Sequence, residues 1–351
     1  MPSMLYPPSM IVVLNHISAL EFWRYFGIET STYFAGRVAV PCNLTSLDRA
    51  AWRVRDITSS PSLEKLVRTM PIHVLVKGTA PTHACPRLVS HRFTGRLPDG
   101  AVRSLGDGIY VSSPEFCIVQ LARDLDSIAL VRLMHELCGT YARQRGAKRG
   151  FIPRPKLATV EGIREFAESC PRGTARRKVL MCLKWVVEDS ASPLETAVGM
   201  LLSFPMHVGG FGLPRHRFNH EVKLSSPAAG IARRGLCRLD ISWSDVLLDV
   251  EVHGSDHESE GAVDRDALRS EGLAYDGYSQ LVITKSIATD PFAIQQIARE
   301  CARRIGVKRH WERLGRYSAK QANLFNSLFP WNAPYDALFE STLGQYGRDA
   351  G

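Results

Sequence analysis

The residues of this chain best suited to chemistry lie in two short acidic runs, Arg238-Leu239-Asp240-Ile241-Ser242-Trp243 and Leu247-Leu248-Asp249-Val250-Glu251-Val252-His253. Apolar and polar residues alternate in both, which marks two strands joined by a tight turn near Ser244-Asp245. Side chains alternate with period two along a strand. Arg238, Asp240 and Ser242 therefore share a face, as do Leu247, Asp249, Glu251 and His253. A two-residue turn sets Asp240 opposite Asp249 with Glu251 diagonal to it, and a longer turn sets Asp240 opposite Glu251. Both registers gather the carboxylates on one face at about 5 Å, where like charges repel. Solvent, a basic neighbour such as Arg238, or a divalent cation must offset that repulsion. Oxygen donors of this kind suit magnesium or manganese better than zinc. The same residues also fit a plain hairpin with one apolar face buried and one acidic face wet.

Other candidates flank the two runs. His257 follows His253 by four residues, across Gly254. Glu195 stands three after Ser192, which fits either the reciprocal half of a capping box or a further metal ligand. Asp266 and Arg269 are three apart on an expected helix and are read as a structural ion pair.

The elements that must position these residues are legible around them. Ser192-Pro193-Leu194-Glu195 starts a helix through Leu202, and Gly212-Leu213-Pro214 leads into a strand at Phe218 to Leu224. The acidic hairpin follows. Next come a helix through Asp266 and Leu273, closed near Gly277, and a strand at Tyr278 to Thr284. The order is helix, strand, strand, strand, helix, strand, with the last connection a right-handed crossover onto the same sheet.

Upstream, Ser18-Ala19-Leu20-Glu21 reads as a capping box opening a helix through Tyr25. Strands are expected at Val38 to Val40, Ile72 to Val76, Leu88 to His91 and Gly108 to Val111. Ser113-Pro114-Glu115 starts a helix through Ala122, and a second helix spans Ser127 to Tyr141. Residues 1–145 are thus expected to form one mixed α and β domain. Residues 146–178 carry many basic residues among Gly and Pro and read as an exposed linker. Lys148, Arg149, Arg176, Arg177 and Lys178 there are either phosphate contacts or a solvated surface. Residues 179–306 hold the acidic hairpin. Residues 307–351 form a basic, aromatic tail, expected to pack back on the body rather than to stack on bases.

Composition sets the frame. Hydrophobic residues make up 45% and charged residues 23% of 351, a mix of globular protein rather than disordered chain. The formal net charge of +9 favours an anionic partner, nucleic acid first. Eight scattered cysteines with no CxxC pair point to buried reduced thiols and a cytoplasmic setting. Met10 to Leu14 is too short for a signal-peptide core, and no apolar run reaches the roughly 18 residues of a membrane span.

This arrangement resembles the core of the PD-(D/E)XK nucleases. It is closest to the very-short-patch-repair-like branch, which also occurs fused to AbiE-type antitoxin domains. The matching pieces are Ser192-Pro193-Leu194-Glu195, Gly212-Leu213-Pro214, Arg238-Leu239-Asp240, Glu251-x-x-Gly254-x-x-His257 and Asp266-x-x-Arg269-x-x-x-Leu273-x-x-x-Gly277, over residues 190–290. Gly108-Ile109-Tyr110-Val111 before Ser113-Pro114-Glu115 is similar to the strand-then-helix entry of antitoxin-fused members. The resemblance implies an α/β (α+β) fold, with a restriction-endonuclease-like mixed central sheet flanked by helices and a separate mixed domain before it. It implies that Asp240 and Glu251 ligate Mg2+ or Mn2+, that Glu195 completes the shell, and that His257 transfers protons. His253 stands where the superfamily has lysine, so it is the alternative base or a metal ligand. Arg238 either neutralises the acids or touches phosphate.

The expected function is metal-dependent DNA cleavage in a prokaryotic defence, mobile-element or repair setting. A cognate toxin or a second copy are further possible partners, and a membrane is not. The alternatives are a weakened nuclease fold used as a DNA-binding, antitoxin-like regulator, and an inert acidic face on a structural adaptor.

Overall fold

A computed structural model describes residues 12–26, 71–77, 84–85, 88–93, 97–106, 109–144, 146–254 and 260–329. The strand expected at Val38 to Val40 and the candidate His257 lie outside them. The chain divides into two compact units. Among the described residues, the first runs to Lys184 apart from Cys138–Tyr141, and the second holds Cys138–Tyr141 and the residues from Trp185 to Phe329. Both are built on mixed sheets with helices against them.

In the first unit, β1 (Val12–Leu14) leads directly into α1 (His16–Phe26). The sheet continues with β2 (Ile72–Lys77), β3 (Ala84–Cys85), β4 (Leu88–Phe93), β5 (Val102–Gly106) and β6 (Ile109–Ser112), in the order β3-β4-β2-β1-β6-β5. β1 runs parallel to β6 and antiparallel to β2, and β2 runs parallel to β4. The Ser18 capping box does not form, because α1 already begins at His16. Ser18 Oγ instead accepts the His73 N–H at 2.9 Å, tying the helix to β2. The next start matches expectation: α2 (Pro114–Leu121) is capped by Ser113, whose Oγ accepts from Phe116 N at 3.2 Å. α3 (Ser127–Cys138) follows.

The segment expected to be an exposed linker is folded. β7 (Tyr141–Arg143) and β8 (Phe151–Pro153) form a two-stranded ribbon, and α4 (Val160–Ser169) and α5 (Thr174–Leu183) come after it. α4 buries Ile163, Phe166 and Ala167, and α5 buries Val179, Cys182 and Leu183. Apolar residues at helical spacing among the charges carry this outcome, a period that a reading of composition averages away. Arg154, expected on the surface, is buried and donates to the Glu136 carbonyl at 2.7 Å and to that of Pro155 at 2.8 Å.

In the second unit, α6 (Pro193–Ser203) precedes β9 (Arg217–Lys223), β10 (Leu236–Trp243) and β11 (Leu248–His253). A short helix unforeseen in the sequence, α7 (Ser226–Ala232), is inserted between β9 and β10. Then come α8 (Glu260–Tyr275), β12 (Ser279–Thr284), α9 (Lys285–Ala288), α10 (Pro291–Ile305) and α11 (Ser318–Leu328). The sheet order is β12-β11-β10-β9, antiparallel except for the parallel β11–β12 pair. Val222, Cys237 and Leu239 on the strands and Leu224 just after β9 meet Ala228 and Ala232 of α7 and Leu273 of α8 in one core cluster. Gly272 lets α8 come close: a Cβ there would lie 2.7 Å from that of Ala232.

The expected tail belongs to this unit as far as residue 329. Leu324 and Leu328 are buried, Trp311 lies against Phe211 at 6.3 Å between ring centroids, and Arg309 donates to the Gly212 carbonyl. Packing rather than base stacking accounts for these side chains. No helix among the described residues is long and apolar enough to cross a membrane.

Candidate functional site

The carboxylates meet on β10 and β11. Trp243 pairs with Leu248, Ser242 with Asp249 and Ile241 with Val250, so the next step of the register sets Asp240 opposite Glu251. This is the longer-turn alternative. The chain reverses through a 3-10 turn at Ser244–Val246 and a left-handed Leu247 (φ 49°). Asp240 Oδ2 accepts the Val252 N–H at 2.8 Å, which fixes the carboxyl against the neighbouring strand.

The acidic face is not wet. Asp249 is 0% exposed and Glu195 7%, while Asp240 and Glu251 are half-buried. Gln280 of β12 donates to Asp249 Oδ2 at 2.8 Å and is itself held by Ser270 of α8, and Asp249 Oδ1 receives no hydrogen bond. Glu195 stands in the Ser192 cap, but its carboxylate turns to Ala191 and Asn219 rather than closing the reciprocal half of a capping box. Ser192 Oγ accepts from Glu195 N at 3.1 Å, the ordinary half of a cap. The Glu195 carboxylate accepts from Ala191 N at 2.9 Å and from Asn219 of β9 at 2.7 Å, which aims it towards the sheet.

The expected Asp266–Arg269 pair does not form. Arg269 reaches from α8 to Glu251 Oε2 at 2.8 Å and to the Arg238 carbonyl at 2.5 Å, leaving Asp266 exposed. Arg238 contributes that carbonyl, and its own residue is exposed. The cation that neutralises the acids is therefore Arg269 rather than Arg238. A charged group so nearly buried needs a partner, and the carboxylate across the sheet is a better one than a solvated acid on the same helix.

Electrostatics follow from crowding in a dry place. Burial first, and then the charges of Glu251 and Glu195, push Asp240 up to about 8. Burial and Glu251 push Asp249 up to about 7, against the Gln280 hydrogen bond and Arg269. Burial also raises Glu195, opposed by its hydrogen bonds from Ala191 and Asn219. Desolvation and like charge act in the same direction on carboxyls. Four such groups share one arginine, and a bound cation would relieve the rest.

His253 ends β11 opposite Thr284 and is half-buried, two residues after Glu251 and hence on its face. Among the basic candidates, Lys148 and Arg149 are exposed and line an open groove of the first unit with Tyr25 and Phe151. Arg177 is exposed. Arg176 donates to the Cys170 carbonyl at 3.0 Å, and Lys178 donates to that of Leu125.

Sequence reasoning gathered Asp249 on the acidic face without giving it a role, read Arg269 as the partner of Asp266, and passed over Asn219 and Gln280. Asp249 was legible, since it shares the face of Glu251. The others arrive from β9, α8 and β12, and no local spacing announces them. No family model, no curated protein and no solved structure matches this chain.

Proposed function

We propose that the second unit is a metal-dependent nuclease domain that hydrolyses phosphodiester bonds in DNA, in a prokaryotic defence, mobile-element or repair setting in the cytoplasm. The observation that carries this reading is the electrostatic crowding of Asp240, Glu251, Asp249 and Glu195 at one largely buried face, with Arg269 as their counter-charge among the described residues. Their order along α6, β9, β10, β11, α8 and β12, with β11 and β12 parallel, supports a restriction-endonuclease-like core of the PD-(D/E)XK kind.

The donor chemistry of these residues suits a divalent cation, and the carboxylates would have to close around it, since among the described residues only His16, His73 and His91 already bring three ligand atoms within 4.8 Å of one another. The acidic residues offer only oxygens, three of the carboxyls are held back from ionising, and Asp249 Oδ1 receives no hydrogen bond. Asp240, Glu251 and Glu195 would hold Mg2+ or Mn2+. When bound, such an ion polarises a phosphoryl oxygen and acidifies water. Val252 N and Asn219 keep the Asp240 and Glu195 carboxylates oriented. Arg269 carries the compensating charge at Glu251 until the ion arrives. His253, next along the face, takes up the proton at a ring nitrogen, in the place the superfamily gives to lysine. The exposed Lys148, Arg149, Arg177 and Arg238 supply backbone contacts that position a duplex without reading its sequence. The first unit is the candidate antitoxin-like module, which would bring a cognate toxin or a second copy.

Plasmid cleavage with Mg2+ or Mn2+ tests this. Cutting that EDTA and Asp240→Ala both abolish is the expected result, and cutting indifferent to Asp240→Ala would sink it.

A second reading has its own support. Arg269 already occupies Glu251 at 2.8 Å, as it would where an arginine has replaced the metal's charge in a fold kept for DNA binding. Salt-sensitive DNA binding without cleavage, unchanged in Asp240→Ala, would mark that case.

A further inference from the structure

Three histidines that no local motif groups together meet in the first unit. His16 opens α1 directly after β1, His73 lies on β2 and His91 on β4. β2 separates the other two strands in the sheet, and its pairing with β4 sets His91 opposite Leu75, diagonal to His73. One ligand-capable nitrogen from each ring lies within 4.8 Å of the others. The ring centroids are 4.3, 4.9 and 5.2 Å apart. His73 Nδ1 is 2.7 Å from His91 Nε2, and His16 Nε2 is 2.6 Å from Oδ2 of Asp124, which follows α2.

The backbone is held for this purpose. His16 sits at φ 52°, in the left-handed region that costs a non-glycine residue about 1–2 kcal/mol. Such strain persists only where the surroundings over-determine it, and it clusters at functional sites. Here the His16 N–H donates to Gln120 Oε1 at 3.2 Å, and its carbonyl accepts from Cys117 Sγ at 3.4 Å. Packing alone gives no reason for three imidazoles at this point, where leucine or phenylalanine would fill the same space without polar atoms to satisfy. His16 and His73 are buried, while His91 is half-buried and the Asp124 side chain is 25% exposed. An ion therefore has a way in from one side.

We propose that His16, His73 and His91 form a binding site for one zinc-type divalent transition-metal ion, with Asp124 orienting His16, joining the start of α1, two strands and the segment after α2. Three imidazole nitrogens are a borderline donor set that suits Zn2+ in tetrahedral geometry with a water in the fourth position, whereas magnesium wants oxygens. Metal–nitrogen bonds of about 2.0–2.1 Å put tetrahedral donor nitrogens roughly 3.4 Å apart. The His73–His91 contact must then open by less than about 1 Å and the widest separation must close by about 1.4 Å, and the rings, now stacked with their planes within 20° of parallel, must turn until their in-plane lone pairs meet at one point. Burial keeps His73 and His91 in the neutral, ligating form. Coordination replaces the hydrogen bond between these two rings, while Asp124 keeps its contact with His16 Nε2 and orients that ring. This site is independent of the carboxylate cluster and takes a different class of ion.

The test uses the full chain, purified without chelator, with its zinc content measured by mass spectrometry. The EDTA-stripped chain is then titrated with Co2+ and followed by visible absorption. One zinc per chain is expected in the wild type and equally in Asp240→Ala, with the absorption of a tetrahedral cobalt complex on titration. His91→Gln, at the half-buried position, should lose the zinc and the spectrum while keeping its far-ultraviolet circular dichroism. Asp124→Asn should weaken zinc binding by tenfold or more. A folded wild-type chain with no stoichiometric zinc and no cobalt spectrum would overturn the proposal. So would full zinc retention in both His91→Gln and Asp124→Asn, or loss of zinc in Asp240→Ala with retention in His91→Gln.

Discussion

The two units keep their titratable clusters in the same neutral condition by opposite routes. In the second unit, burial and mutual repulsion hold Asp240 and Asp249 protonated to about 8 and about 7. In the first, burial drives His73 down to about 2 and His91 to about 3, so both imidazoles stay unprotonated. Desolvation disfavours the charged form in both places. It raises an acid and lowers a base. The consequence for ligand binding differs. The carboxylate face must shed protons before it accepts a cation, whereas the imidazole cluster is already in its ligating form. Were both clusters to hold the ions proposed for them, occupancy of the carboxylate face would be linked to pH near neutrality, and that of the histidines would not.

The strongest way to break this contrast is at Asp240. Asp240→Ala should cost on the order of three powers of ten in metal-dependent plasmid cleavage, about 4 kcal/mol of lost transition-state stabilisation. Zinc content should not move. A variant that lost both would mean a single shared metal requirement.

Arg269→Met comes next. It leaves Glu251 without its counter-charge and should destabilise the metal-free chain by roughly 3 kcal/mol, at the low end for a pair that keeps some solvent contact. In thermal melts, millimolar Mg2+ should recover part of the loss, because a cation can replace the guanidinium. A melt unchanged by Mg2+ would favour the binding-module reading over the nuclease.

Removing zinc with a chelator should lower the melting temperature of the wild type by roughly 5–10 °C, as expected for a few kcal/mol of linkage in a domain of this size. His91→Gln should start from the lower value and show no chelator effect. An equal drop in both proteins would locate the chelated ion elsewhere.

The smallest effect is in the pH dependence, and here the two clusters have opposite signs. For raised carboxyls, the folded state binds protons more tightly. Their contribution is full below about pH 4 and is lost as pH climbs through 7 to 8. For lowered histidines, the contribution is full above about pH 6.5 and is lost as pH falls towards 3. Melting temperatures of metal-free protein should therefore decline on both limbs. Asp240→Asn should flatten only the alkaline limb and His91→Gln only the acid one. A variant that flattened the opposite limb would contradict the assignment.

Much of the second unit could be read along the chain. Local periodicity placed α6, β9, β10, β11, α8 and β12, and period two put Asp240 and Glu251 on one face of a hairpin. These are near-neighbour properties, since a strand's alternation and a helix's cap depend on residues within a few positions of one another. Even there the register waited on the turn. Ser244–Val246 and left-handed Leu247 select the longer of two reversals, and that choice moves the partner of Asp240 from Asp249 to Glu251. Composition misread residues 146–178, because two short amphipathic helices hide inside a basic average.

By itself, then, the sequence determined the main strands and helices around the acidic hairpin and the side on which each acid stands. Only the tertiary structure decided that the acidic face is buried, that Arg269 rather than Arg238 answers Glu251, and that His16, His73 and His91 meet at all. The reason is physical. Burial and long-range pairing depend on which elements the chain brings back against a residue, and spacing along the sequence carries no record of that approach.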